Sequence, residues 1–297
     1  MMCLHPLTIA NPRCDKKGFY IKQNEFDDKL YRLKYGKEAY IQVPCGKCES
    51  CIERKSNEWA SRIYHEWLYA PTSAFLTLTY REENLPMSEV IYGIGTYTDK
   101  VVMPNLSKLD IQNFMKRLRN VLGNGLRFFV GGEYGETDGR PHYHLALFSF
   151  SSKFNDIIYD VVKEVWRNGN VTYGDMNINR VMYVAKYIYS SSLVDDHLVK
   201  GLQKPFILCS RRPGLGYRYY LDKENRDYHN RTLDTSIPID DNKKLGMPRY
   251  YKDKLFTEES REKLYRDWID NPPKPPRKNE INVFLNRFNK KKRGKSI

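Results

Sequence analysis

The stretch that decides the fold runs from Arg127-Phe-Phe-Val-Gly-Gly-Glu-Tyr134 through Gly135-Glu-Thr-Asp-Gly-Arg140 to Pro141-His-Tyr-His-Leu-Ala-Leu-Phe-Ser-Phe150. Arg127 to Val130 reads as a strand with Glu133 at its end, and His142 to Phe150 reads as a returning strand led in by Pro141. The polar turn Glu136-Thr-Asp-Gly-Arg140 between them is short enough to close a hairpin. Upstream, Phe75-Leu-Thr-Leu-Thr-Tyr80 alternates with period two and is rich in β-formers, so it predicts a third strand. Ser107-Lys-Leu-Asp110 reads as a helix start. The helix carries Ile111, Phe114, Met115, Leu118, Val121 and Leu122 on one face and ends at Gly123. Ile157 to Val165 and Asn179 to Tyr189 predict two further helices. Strands and helices in this order fit the α+β class: a central antiparallel sheet with helices packed on one face.

Around this middle region the composition changes. Residues 1–70 hold five of the six cysteines, residues 71–222 hold the strands and helices just described, and residues 223–297 form a charged extension. Asn271-Pro-Pro-Lys-Pro-Pro276 predicts a stiff linker before the basic end. The net charge is +14, and residues 271–297 alone hold six Lys and three Arg against one Glu. Such a surface favours a polyanion, because each neutralised phosphate releases a condensed counterion. The 23 Tyr, 13 Phe and 4 Trp supply rings on which bases stack. No apolar run approaches the ~18 residues of a membrane span, and Met1 to Tyr20 lack the apolar stretch of a secretory signal. The expectation is a cytoplasmic protein.

His142 and His144 stand two apart on a strand, so both imidazoles face the same way. If the hairpin pairs, Glu133 lies beside them and adds an oxygen ligand; two imidazoles and a carboxylate with open positions form a catalytic style of metal site. On the helix after Asn179, Val181, Val184, Ala185 and Ile188 share one face, while Tyr183, Lys186 and Tyr187 gather opposite, with Arg180 nearby. Two phenols one turn apart and flanked by cations are candidate nucleophiles toward a metal-polarised phosphodiester.

Cys45, Cys48 and Cys51 form a C-x-x-C-x-x-C run that suits zinc and needs a fourth ligand; Cys3, Cys14 and His5 compete for that place. An iron–sulfur cluster is the competing occupant, and helical spacing without metal the competing structure. Glu53 to Trp67 reads as a helix with Trp59, Ile63 and Trp67 on one side. Arg211, Arg212, Gly214, Gly216, Tyr217, Tyr219 and Tyr220 combine guanidinium groups, turn glycines and rings, a pattern suited to single-stranded DNA.

At these residues the sequence resembles the HUH endonucleases. Gly135 and Arg140-Pro-His-Tyr-His144 resemble their metal motif, Phe75 to Tyr80 their first motif, and Tyr183-Val-Ala-Lys-Tyr187 the two-tyrosine motif of their rolling-circle initiators. Met2-Cys-Leu-His-Pro6, Val43-Pro-Cys-Gly-Lys-Cys-Glu-Ser-Cys51 and Ser210-Arg-Arg-Pro-Gly-Leu-Gly216 are similar to the replication initiators of microviruses, above all the gokushovirus type. The resemblance implies Mg or Mn at Glu133, His142 and His144, with Glu136 a competitor for the acidic place. It implies nicking of a circular, supercoiled origin, a 5′-phosphotyrosine at Tyr183 or Tyr187, and later rejoining. It also implies Lys186 steadying phosphate or phenolate, and favours Cys3 as the fourth thiolate. The chain holds no G-x-x-x-x-G-K-[ST] motif, so unwinding falls to another protein, and a host helicase and polymerase in an infected bacterium are the expected partners. The rivals are a transposase or conjugative relaxase with the same chemistry, and a noncatalytic, zinc-stapled nucleic-acid-binding module.

Overall fold

A computed structural model describes residues 3–14, 28–94, 97–135, 138–185, 199–240, 243–271 and 276–293. The chain divides into two compact units, Lys55–Leu255 and the pair of segments Met1–Arg54 and Phe256–Ile297. The division by composition into 1–70, 71–222 and 223–297 remains a proposal about where functions reside.

The larger unit is built on a five-stranded sheet in the order Phe206–Cys209, Arg127–Tyr134, Pro141–Phe148, Ser73–Tyr80, Gly169–Gly174, with every neighbour antiparallel. The fold is therefore α+β, as the sequence predicts. The hairpin forms, with Glu133 opposite His142 and Gly131 opposite His144. On the other side Thr77 pairs with His144 and Thr79 with His142.

The sheet is covered on both faces, not on one as the sequence reading expects. On the first face Leu76, Leu78, Val130, Tyr143, Leu145 and Leu147 meet the helices Lys108–Leu122 and Ile158–Val165. Ile111, Phe114, Met115 and Leu118 are the contact stripe of the longer helix, whose start is fixed by the Ser107 hydroxyl accepting the Asp110 N–H at 3.1 Å. On the second face Phe75, Phe129, Ala146 and Phe148 meet Ala60 and Ile63 of the helix Glu49–Leu68, and Val181, Val184 and Ala185 of the helix Ile178–Ala185. Trp59 and Trp67 pack beside Ile63, as their spacing predicts. This second layer is the correction: the sequence assigns the helix before residue 70 to the cysteine region, yet its later turns close the sheet.

The smaller unit pairs Leu7–Ala10 with Tyr40–Val43 antiparallel and adds the helices Asp28–Tyr35, Glu258–Asp270 and Lys278–Arg293. Asn11 donates to the Tyr265 hydroxyl at 2.7 Å, and Arg13 pairs with Glu262 at 2.6 Å. The basic helix buries Phe284 and Phe288 and leaves Val283 exposed. Of the Pro-rich linker, residues 272–275 lie outside the described residues. Among the described residues no helix is long and apolar enough to cross a membrane.

Candidate active site

Strand pairing brings the predicted ligands together. Glu133 Oε1 lies 2.9 Å from His142 Nε2 and 3.5 Å from His144 Nε2. One donor atom from each of Glu133, His142 and His144 falls within 4.8 Å of the others. Because the strand alternates, His142 and His144 share the face of Ala146 and Phe148, while Tyr143 and Leu145 fill the opposite core. The competing acid, Glu136, lies outside the described residues.

The hydrogen bonds around the imidazoles specify their outward nitrogens. His142 Nδ1 donates to the Arg140 carbonyl at 3.2 Å, so this nitrogen carries a hydrogen. His144 Nδ1 is held by the Thr77 hydroxyl at 3.0 Å. In both residues Nε2 is thus the atom turned to Glu133. Burial opposes charge on Glu133, but hydrogen bonds from both imidazoles outweigh it and hold the carboxyl down to about 2. Burial also opposes charge on His142, and the Glu133 carboxylate with the Arg140 carbonyl overcomes it, raising the pKa. His144 goes the other way: burial, with His142 beside it, lowers its pKa in spite of Glu133. The metal-free cluster therefore holds one proton, on His142, beside an ionised carboxylate. A divalent cation in that proton's place meets two imidazole Nε2 lone pairs and one anionic oxygen, so the donor set fits a metal.

Tyr183 faces this cluster. Its ring stands edge-on to His144, with centroids 5.2 Å apart and planes at 85°, and the side chain is 37% exposed. Asn177 caps the helix by accepting the Arg180 N–H at 3.0 Å, and burial of Val181, Val184 and Ala185 turns Tyr183 toward the imidazoles. Ser56 donates to the Ala185 carbonyl at 3.1 Å near the helix end. Lys186 and Tyr187 lie outside the described residues. Arg180 sits over the ring of Phe75 at 5.5 Å and donates to the Asp175 carbonyl; Phe75 in turn stacks on His144 with centroids 6.1 Å apart.

The Ser210–Gly216 turn is clamped by its backbone. Arg127 donates to the Pro213 and Gly214 carbonyls, both at 3.1 Å, and pairs with the buried Glu66 carboxylate, which accepts the Gly216 N–H at 2.7 Å. Arg62 donates to the Leu215 carbonyl at 3.2 Å. Gly216 has φ +75°, and a Cβ there would strike the Tyr251 hydroxyl, which explains a glycine in this motif. Arg211 and Arg212 are exposed, whereas Tyr217 is half-buried under the Arg127 guanidinium at 5.0 Å. Tyr219 is buried against His65 and Tyr251 and accordingly belongs to the core.

Sequence reasoning missed Thr77, Phe75 and the Glu66–Arg127 pair. Thr77 is recoverable from register, since a third strand paired in phase with His144 places a hydroxyl opposite it. Glu66 and Arg127 are 61 residues apart and carry no local signal.

In the other unit, Cys3, Cys45, Cys48 and Cys51 form a second group able to hold a metal ion. Backbone N–H groups of Lys47 and Cys48 pull the Cys45 thiol down to about 6. Cys14 stands apart, its thiol donating to the Glu38 carbonyl at 3.3 Å.

Comparison with known proteins agrees with the motifs. Residues 73–192 match the family model for the replication-associated protein ORF2. Replication-associated protein VP4 of Bdellovibrio phage phiMH2K is 28% identical over 275 residues, covering 85% of this chain and 76% of that protein. Replication-associated protein ORF2 of Spiroplasma virus 4 is 26% identical over 288 residues, 91% of this chain and 84% of that protein. Replication-associated protein ORF4 of Chlamydia phage 1 is 25% identical over 249 residues, 75% of this chain and 57% of that protein. No solved structure matches.

Proposed function

From the premise that this chain resembles the replication initiators of microviruses, we propose that it starts rolling-circle replication by nicking and rejoining single-stranded origin DNA. The observation that carries the reading is the approach of the Tyr183 ring to His144, on the sheet face that also bears Glu133 and His142. Mg or Mn is the ion we propose for that site, with the thiolate group left to a softer ion such as zinc. A divalent ion held by the three side chains would polarise the scissile phosphate and favour charge on the attacking phenol.

The remaining work belongs to side chains. Tyr183 presents a phenolic oxygen at the solvent-facing edge of the site; as phenolate it attacks phosphorus. The bond from phosphorus to the 3′ oxygen breaks, that oxygen leaves and takes a proton, and the 5′-phosphate stays linked to tyrosine. Reversal by a 3′ hydroxyl restores the phosphodiester and frees the phenol, so no external energy source is needed. Tyr187 would perform a second attack while the first product is attached, and Lys186 would steady phosphate or phenolate. Thr77 and the Arg140 carbonyl keep the imidazole Nε2 atoms turned to the phosphate side. Arg180, Arg211, Arg212 and Tyr217 are the groups we propose for holding DNA, with the basic helix Lys278–Arg293 adding phosphate contacts. A circular, supercoiled origin is the proposed substrate, a host helicase and polymerase the proposed partners, and the cytoplasm of an infected bacterium the proposed place.

The test is a covalent adduct. Labelled single-stranded origin DNA is incubated with the full chain and Mn, then denatured and resolved by size. A protein-linked label is expected, and Tyr183→Phe and Tyr187→Phe, singly and together, assign the nucleophile. A noncatalytic binding module gives no adduct under any metal, and that result overturns the reading.

A further inference from the structure

Four sulfurs converge in the smaller unit. Cys3 Sγ lies 3.5 Å from Cys45 Sγ and 3.7 Å from Cys48 Sγ, and Cys45 Sγ lies 4.0 Å from Cys51 Sγ. A disulfide needs about 2.05 Å, so none of these pairs is one. A tetrahedron with Zn–S bonds of about 2.3 Å has edges of about 3.8 Å, a value that the three distances bracket. Thiols are weak mutual donors and do not by themselves draw four side chains to one point.

The backbone is arranged for thiolates. The Cys45 N–H donates to Cys3 Sγ at 3.3 Å and the Cys48 N–H donates to Cys45 Sγ at 3.4 Å. Gly46, with φ +79°, lets the chain turn between Cys45 and Cys48 tightly enough for both sulfurs to face inward. Cys48 and Cys51 are buried, so a thiolate pair there without a cation would be costly. The two alternative fourth ligands fall away: Cys14 donates to the Glu38 carbonyl, and His5 is exposed and outside the group.

We propose that Cys3, Cys45, Cys48 and Cys51 bind one zinc ion as a closed, structural site. Four protein ligands fill a tetrahedron and leave no position for water or substrate, so the site holds structure and does no hydrolysis. Its mechanical role follows from the ladder beside it. Leu7–Ala10 and Tyr40–Val43 make four residue pairs, beginning at Leu7 opposite Val43, and Leu7 and Thr8 are exposed. A two-stranded ladder with so little core is marginal in water. Cys3 precedes the ladder by four residues and Cys45 follows it by two, so the ion ties its open end to Cys51 in the first turn of the helix Glu49–Leu68. This inference is independent of the nicking chemistry: a failed adduct assay leaves it standing.

The experiment measures metal in the full chain, purified under reducing conditions without added metal. One zinc per chain is expected, retained in His142→Ala and in Cys14→Ser, and lost in Cys48→Ser and Cys3→Ser. Replacement of zinc by Co(II) in the unmutated chain is expected to give the intense visible bands of a tetrahedral tetrathiolate. That measurement keeps the test decisive if the cysteine variants fail to fold. A folded chain without zinc, iron in place of zinc, a Co(II) spectrum of six-coordinate oxygen and nitrogen ligands, or zinc lost with His142→Ala each overturns the assignment.

Discussion

The two metal-capable clusters are opposites in construction. The imidazole–carboxylate group takes its three donors from two adjacent strands of a five-stranded sheet, and both faces of that sheet are buried. The thiolate group takes four donors from segments up to 48 positions apart, around a ladder of four residue pairs. In the first, ordinary packing supplies the rigidity and leaves coordination positions for substrate. In the second, packing is thin, and the proposed ion supplies what a core would otherwise provide. One chain thus uses metal ligands for two different ends, and the surrounding burial tells them apart.

The comparison breaks most visibly if each cluster is disabled in turn. Glu133→Gln keeps the side-chain shape and removes the anionic ligand. Adduct formation is expected to fall about a thousand-fold, with the thermal midpoint nearly unchanged, as read by labelled-DNA gels and circular dichroism. Cys48→Ser is expected to do the reverse: the smaller unit becomes protease-sensitive, while adduct formation per folded molecule stays within about two-fold. Loss of chemistry in both variants would erase the distinction. Next, Glu66→Ala strips Arg127 of its buried carboxylate partner and frees the Gly216 N–H. A loss of about 3 kcal/mol or more in urea unfolding is expected, equal with and without Mn if the sheet alone supports the imidazole site.

A third histidine sharpens the contrast by titration. His65 is buried beside Tyr219 and Tyr251, and burial pushes its pKa down to about 4. In the unfolded chain its pKa returns to about 6.5, so acid protonates the unfolded state first. Stability is complete above about pH 6.5 and is lost as pH falls toward 4, by ~2 kcal/mol at pH 5. His65→Phe should flatten that part of the pH–stability curve measured by urea unfolding. The smallest effect concerns Thr77, whose hydroxyl holds His144 Nδ1. Thr77→Val is expected to weaken Mn binding about ten-fold in calorimetric titration without unfolding the chain.

Much of this architecture is legible in the residue order because it is periodic. Alternation fixes the hairpin and places His142 and His144 on one face; hairpin register then puts Glu133 opposite His142. Helical spacing turns Val181, Val184 and Ala185 inward and so leaves Tyr183 on the side of the imidazoles. What resists reading is non-local or weakly patterned. The second covering layer depends on one helix serving two neighbourhoods along its length. Gly169–Gly174 opens and closes on glycine and exposes Asn170, Thr172 and Tyr173, so its apolar signal is confined to Val171. The Glu66–Arg127 pair joins positions that no window of sequence contains. Lys186, Tyr187 and Glu136 lie outside the described residues.

The histidine strand is third of five, with two strands on either side. Sheets breathe from their rims, and each backbone bond that opens there must do so before the next one inward. Amide exchange along Leu145 and Ala146 should accordingly be slow beside that of Cys209 or Gly174, and the imidazoles ride on the most slowly exchanging part of the sheet. A nuclease that must hold a broken strand until it is resealed gains from keeping its grip there, where thermal fraying arrives last.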